Sequence, residues 1–221
     1  MTPAQQRELQ TRRAVADRVR KCCVPAERLN LAVALVRKVA STSILAELLR
    51  AQGRLPSSFN AEDVYAVKTG HISPRAAHEQ GFVVAAFVRN PFDRLVSVWH
   101  GKVYSPEYVR VKPRLLSLGF RKGMDFPEFV RRVCAHRDHE LHLVPQSHFL
   151  GEGYERYGFL GRFERFQEDW ECLQKLVPGL GALQHLNATD RERYRAFYDT
   201  RTREIAQGLY AEDLERFGYS F

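Results

Sequence analysis

Two continuous apolar runs stand out along the chain, LAVALV at residues 31–36 and FVVAAFV at residues 82–88. Unbroken runs of that length predict parallel strands covered by helices on both faces. The second run is the more apolar and is expected near the centre of the sheet. After each run apolar residues return at helical spacing: Ile44, Leu45, Leu48 and Leu49 after the first, and Leu95, Val96, Val98, Trp99 and Val103 after the second. The pattern therefore predicts two units of strand, turn and helix. A short further strand is expected at 63–67 (DVYAV), and helices at about 3–20, 126–136, 166–176, 190–198 and 201–217. The first of these helices is polar and Arg-rich and reads as a solvated helix packed at one edge. The fold class that follows is α/β, a three-layer P-loop-like fold with a central parallel sheet flanked by helices. Residues 1–221 are expected to form a single domain, with 1–28 as an N-terminal helical extension.

Composition narrows the partners. With 44% hydrophobic residues the chain has a core to bury and is not disordered. A net charge of +8 and a pI near 9.5 point to an acidic partner: nucleic acid, anionic lipid, a polyanionic sugar or a phosphorylated cofactor. Cys22, Cys23, Cys134 and Cys172 have neither C-x-x-C spacing nor the density of a disulfide scaffold, so reduced thiols and no zinc site are expected. His139, His142 and His148 fit no standard ligand spacing either. The first residues lack the apolar core of a signal peptide, and no run approaches the ~18 apolar residues of a membrane span. The expectation is a soluble, cytoplasmic protein, with the Golgi lumen open only to a chain whose anchor had been removed.

The candidate chemistry sits where the two strands end. Ser41, Thr42 and Ser43 fall at the start of the first helix, whose free N–H groups and partial positive charge suit an anion. Lys38 adds a full charge. An N-capped helix after a core strand is the plainer account of the same residues. A Walker A loop, G-x-x-x-x-G-K-[ST], is absent here: Lys38 precedes Ser41 and the stretch has no glycine. The second strand ends in Arg89, which can grip a phosphate bidentately, and not in the acidic residue with which an NTPase holds magnesium. Ser97 on the following helix can donate to the same phosphate. His71 lies in the loop KTGHISP, expected at the carboxyl end of the 63–67 strand, where ligands of open α/β sheets gather. A neutral imidazole there can take a proton from an alcohol; it could equally be a surface histidine in a Gly/Pro loop. The basic stretch at 105–122, with Arg110, Lys112, Arg114, Arg121 and Lys122, is either a solvated surface or an electrostatic rim for an anionic acceptor.

Two motifs in this order resemble those of the Golgi-type carbohydrate sulfotransferases, the second sulfotransferase family. KVASTS, at 38–43, is similar to their 5′-phosphosulfate loop, and VRNPFDRLVS, at 88–97, to their 3′-phosphate motif V-R-[DN]-P-[FY]-x-R-L-x-S. The resemblance implies 3′-phosphoadenosine 5′-phosphosulfate (PAPS) as sulfuryl donor. Lys38, Ala40, Ser41, Thr42 and Ser43 would bind its 5′ side, and Arg89 and Ser97 its 3′-phosphate. Gly70-His71-Ile72-Ser73 is similar to the G-H-V-S segment that carries the base of uronyl 2-O-sulfotransferases, which implies His71 as catalytic base beside Lys38 at the leaving group. Residues 140–146, ELHLVPQ, resemble the family's D-x-H-[WF]-x-P-Q, with Glu for Asp and Leu for the aromatic. Arg94, His142 and Gln146 are the acceptor contacts so implied. FLGRFE at 159–164 resembles I-G-[RK]-F-E, and the closing Y-x-x-D-x-x-x-F-x-Y at 210–219 is a packing motif.

The likeness runs from residue 31 to the end. It implies transfer of a sulfuryl group from PAPS to a carbohydrate hydroxyl without a metal. The short chain without an anchor points to a bacterial enzyme, and neither nucleic acid nor the membrane interior is expected as a partner. A small alcohol or phenol is the alternative acceptor. A P-loop nucleotide or small-molecule kinase would share the two strand-turn-helix units but needs magnesium and ATP. A basic nucleic-acid-binding module would account for the charge, yet no recognition helix, RNP or zinc-finger signature accompanies it.

Overall fold

The computed structural model describes residues 1–56, 58–104, 113–183 and 193–221. Arg110 and Lys112 of the basic stretch lie outside the described residues. In chain order the elements are helix α1 (Pro3–Arg20), strands β1 (Cys23–Ala26) and β2 (Leu31–Ala34), helices α2 (Ser41–Ala51), α3 (Ala61–Ala66) and α4 (Pro74–Glu79), strand β3 (Val83–Val88), helices α5 (Pro91–Trp99), α6 (Pro113–Ser117), α7 (Phe126–His136) and α8 (Gln146–Leu150), strand β4 (Phe159–Arg162), and helices α9 (Phe166–Leu176), α10 (Thr200–Leu209) and α11 (Ala211–Phe217). They group into a sheet unit, residues 20–89 and 148–188, and a helical unit, residues 1–19, 90–147 and 189–221.

The sheet unit holds four strands in the order β1-β2-β3-β4. β2, β3 and β4 run parallel, the first two as the apolar runs predict, and β3 is paired on both sides. β1 is antiparallel to β2, so the sheet is mixed and not wholly parallel. Nothing in the apolar pattern marks β1, a four-residue CVPA strand whose proline is tolerated because an edge strand leaves one row of N–H groups unpaired. The chain turns from β1 into β2 through Glu27–Leu29 and then Asn30 at φ +48°, a left-handed position that asparagine enters more readily than most residues. Helices α2, α4 and α9 pack against these strands. Phe87 of β3 meets the rings of Phe159, Phe166 and Trp170 at 5.6, 4.9 and 6.0 Å between centroids. Gly161 of β4 is required beneath it, because a Cβ there would stand 2.4 Å from Phe87 Cε1.

Residues 63–67 do not form the strand that their apolar pattern predicts. Most of them lie in α3, and local caps explain why. The Asn60 side chain accepts the N–H groups of Glu62 and Asp63 at 2.7 and 3.2 Å, while the Asp63 carboxylate accepts the Asn60 N–H at 2.8 Å. This reciprocal pairing satisfies the orphan donors of a helix start and fixes the helical alternative. Val64 is then buried with Ala46 and Leu49 of α2.

The helical unit is built around α5, all nine residues of which are buried. Phe92, Leu95 and Trp99 share a core with Phe126, Phe129 and Val133 of α7 and with Ala206 and Tyr210. A π turn, His100–Tyr104, follows α5. The helix expected over 201–217 breaks at Tyr210, whose hydroxyl donates to the Leu143 carbonyl at 2.8 Å. Residues 193–197 form a 3-10 turn where a helix is predicted. α1 is the edge helix expected: Val15 and Val19 are buried, and most of its other described side chains are exposed. Among the described residues no helix is long and apolar enough to cross a membrane.

Candidate active site

The turn from β2 into α2 is conformationally unusual. Lys38 (φ +68°) and Ala40 (φ +49°) both occupy the left-handed region, which costs a non-glycine residue about 1–3 kcal/mol. Left-handed residues in such a turn swing main-chain N–H groups toward one concave side, an arrangement that binds anions. Ala40 is also the N-cap of α2 and supplies no side-chain cap. The first helical bond runs from the Ile44 N–H to the Ala40 carbonyl at 3.0 Å. The N–H groups of Ser41, Thr42 and Ser43 thus lie ahead of the helical ladder, at the positively polarised end of an 11-residue helix. Ser, Thr, Asp and Asn are the residues that commonly cap a helix start with a side-chain oxygen. Alanine leaves it open.

Arg89, at the end of β3, is only 3% exposed. Its Nη1 donates to the Lys38 carbonyl at 3.2 Å, and its Cζ lies 4.3 Å from the centre of the Phe163 ring. The guanidinium is therefore fixed by the backbone of the turn between β2 and α2 and by an aromatic face. Phe163 follows β4 directly, and β4 is held in turn by Asp169, which accepts the Arg162 N–H at 2.6 Å. Sequence reasoning gave Phe163 no part in the site; the FLGRFE resemblance was the signal that contained it.

α3 and the loop after it run alongside. The Tyr65 hydroxyl lies 2.7 Å from Thr42 Oγ1, a contact that no motif announces. His71 is exposed, with its Nε2 3.0 Å from Thr69 Oγ1. It does not sit at the end of a parallel strand. Its neighbour Ile72 instead pairs with Cys23 on β1, exchanging two main-chain hydrogen bonds of 3.0 Å each, and Arg54 donates to the Lys68 carbonyl at 2.5 Å. The hydrogen bond with Cys22, together with burial, pushes the Cys23 thiol above its ordinary range.

The remaining candidates belong to the helical unit. Ser97 is buried on α5. Arg94 is buried as well and donates to the carbonyls of His142 and Val144 at 3.2 and 2.9 Å. His142 Nδ1 lies 2.5 Å from the Glu140 carboxylate. Gln146 is 0% exposed and donates through Nε2 to Asp213 at 3.4 Å. Asp213 also accepts the main-chain N–H groups of Gln146 and Ser147, each at 2.8 Å, and so closes the start of α8. These contacts fix the chain around His142. Among the described residues no group of His, Cys, Asp and Glu has the arrangement of a metal site.

A mostly parallel sheet flanked by helices, an open helix start behind left-handed residues, and an arginine at the next strand end characterise this α/β chain. Residues 23–220 match the sequence model of the sulfotransferase family. The chain belongs to that family, and the expected resemblance to the Golgi-type carbohydrate sulfotransferases is borne out. Carbohydrate sulfotransferase 8 of the mouse (Mus musculus) is 26% identical to it over 162 residues, which is 61% of this chain and 39% of the mouse protein. The match thus spans less than half of that relative. No solved structure matches the chain at a significant level.

Proposed function

We propose that the chain transfers the sulfuryl group of PAPS to a hydroxyl of a carbohydrate acceptor, working as one catalytic domain of three-layer, P-loop-like architecture. The observation that carries this reading is the open loop of residues 38–43 with Arg89 braced on the Lys38 carbonyl. Family membership over residues 23–220, a range that runs through both units, supports it. The mouse relative's name supports a carbohydrate as the acceptor. A small alcohol or phenol is the alternative.

In this reading Lys38, Ala40, Ser41, Thr42 and Ser43 neutralise and hold the 5′-phosphosulfate, and Arg89 holds the 3′-phosphate together with Ser97, whose part rests on the motif alone. Fixing both ends orients the sulfur for in-line attack. His71 accepts the acceptor's hydroxyl proton as the new bond from that oxygen to sulfur forms. The bond from sulfur to the bridging oxygen breaks, and Lys38 stabilises the charge that collects on that oxygen. Because that charge exists only late in the reaction, the Lys38 contact raises kcat more than affinity. Arg94 and Gln146 position the segment that presents His142 to the acceptor.

Calorimetric titration of 3′-phosphoadenosine 5′-phosphate (PAP), in the absence of magnesium and with ATP and 5′-AMP as controls, tests this directly. Binding that depends on the 3′-phosphate is expected. A preference for ATP that requires magnesium would overturn the reading in favour of a kinase.

A further inference from the structure

We infer that Tyr65 is a positioning residue for the donor's 5′ anion, acting through Thr42; this rests on the reading of residues 38–43 as the donor loop. Tyr65 lies outside every motif behind that reading, and the residue is 63% exposed. A ring left so far in solvent gains little from burial, yet its hydroxyl meets Thr42 Oγ1 at 2.7 Å. The contact is built in from two sides. The Asn60 and Asp63 caps start α3, and Val64 packs with Ala46 and Leu49 of α2, so Tyr65 is delivered to the first turn of α2 by a packed helix.

The direction of donation follows from acidity. A phenol, with a pKa of about 10, gives up its proton to a hydrogen bond more readily than an aliphatic alcohol. Either hydroxyl can donate in this pair; in the arrangement favoured by the stronger donor, Tyr65 donates to Thr42 Oγ1 and the Thr42 proton is turned away from Tyr65. Thr42 stands among the N–H groups of the open helix start, where an anionic oxygen would accept that proton. In the chain from Tyr65 to Thr42 to the anion each bond polarises the next, so Tyr65 both aims and strengthens a donor that it does not itself supply. The ligand class this favours is an anionic group with several acceptor oxygens, a phosphate or phosphosulfate.

Tyr65→Phe removes one oxygen and keeps the ring. PAP, whose 5′-phosphate occupies the site without the sulfuryl group, is titrated into the wild type, Tyr65→Phe, Thr42→Ala and the double variant, with a melting curve for each. Tyr65→Phe is expected to weaken PAP between about two- and tenfold, the worth of one neutral hydrogen bond, at an unchanged melting temperature. The double variant should lose no more than Thr42→Ala alone, because a contact that works only through Thr42 has nothing left to contribute. Additive losses, or a Tyr65→Phe affinity equal to wild type, would overturn the inference and leave the donor site standing. A wild-type protein that binds no PAP would instead overturn the donor reading.

Discussion

Arg89 donates to the main-chain carbonyl of Lys38 at 3.2 Å while its guanidinium covers the Phe163 ring. One side chain thus braces the left-handed turn between β2 and α2 and is itself held flat by an aromatic. Arg89→Lys keeps the charge but loses the planar fork and the stacking. We expect it to weaken PAP about ten- to a hundredfold, the range of a charge-assisted hydrogen bond in a buried site. Calorimetry decides it, and an affinity within twofold of wild type would place the 3′-phosphate elsewhere.

His71→Ala separates chemistry from binding. Loss of a general base lowers kcat by about 10²- to 10⁴-fold, whereas PAP affinity should stay as it is in the wild type. The rate is followed as PAP release over a panel of carbohydrate acceptors. Turnover equal to wild type would remove His71 from the mechanism.

Gly161→Ala probes the sheet without touching the site's polar groups. Its new Cβ would meet Phe87 Cε1 at 2.4 Å, and Phe87 is enclosed by Phe159, Phe166 and Trp170. Overpacking of that kind destabilises by about 1–3 kcal/mol, and in a chain of this length each kcal/mol lowers Tm by roughly 2–4 °C. A melting curve identical to wild type would show that the aromatic cluster can move aside.

Stability should also depend on His136. Burial first, and then the charges of His139 and Arg132, lower its pKa from the ordinary 6.5, with Glu8 opposing. Nδ1 of both His136 and His139 is buried without a hydrogen-bond partner among the described residues. The unfolded chain therefore binds the proton more readily than the folded one. Stability is level above pH 6.5 and falls as pH drops below it toward the lowered value. Urea denaturation between about pH 8 and pH 5 should show this slope, reduced in His136→Gln; an equal slope in the variant would assign it to other groups.

The sequence was legible where a signal is local and periodic. The runs at 31–36 and 82–88 became β2 and β3, and the helices at 126–136 and 166–176 have the predicted bounds. DVYAV was misread because its apolar pattern is weaker than the caps on Asn60 and Asp63, which act within three residues. β1 is invisible because its pairing with β2 is tertiary and its composition, CVPA, is that of a loop. Residue types at the site could be read, but their surroundings could not. No pattern reveals that Arg94 donates to two carbonyls, that Gln146 faces Asp213, or that Tyr65 reaches Thr42, since each contact joins separate parts of the chain.

The two main-chain bonds between Ile72 and Cys23 bear on how the proposed base moves. A segment tied to an edge strand can swing free only when that strand frays, so its opening should share the strand's local unfolding equilibrium. In hydrogen exchange the Ile72 amide should then be protected to the same degree as the amides of β1, and the Gly70 amide much less. His71, one residue from the tie, would travel with the sheet, and loop closure would not gate turnover.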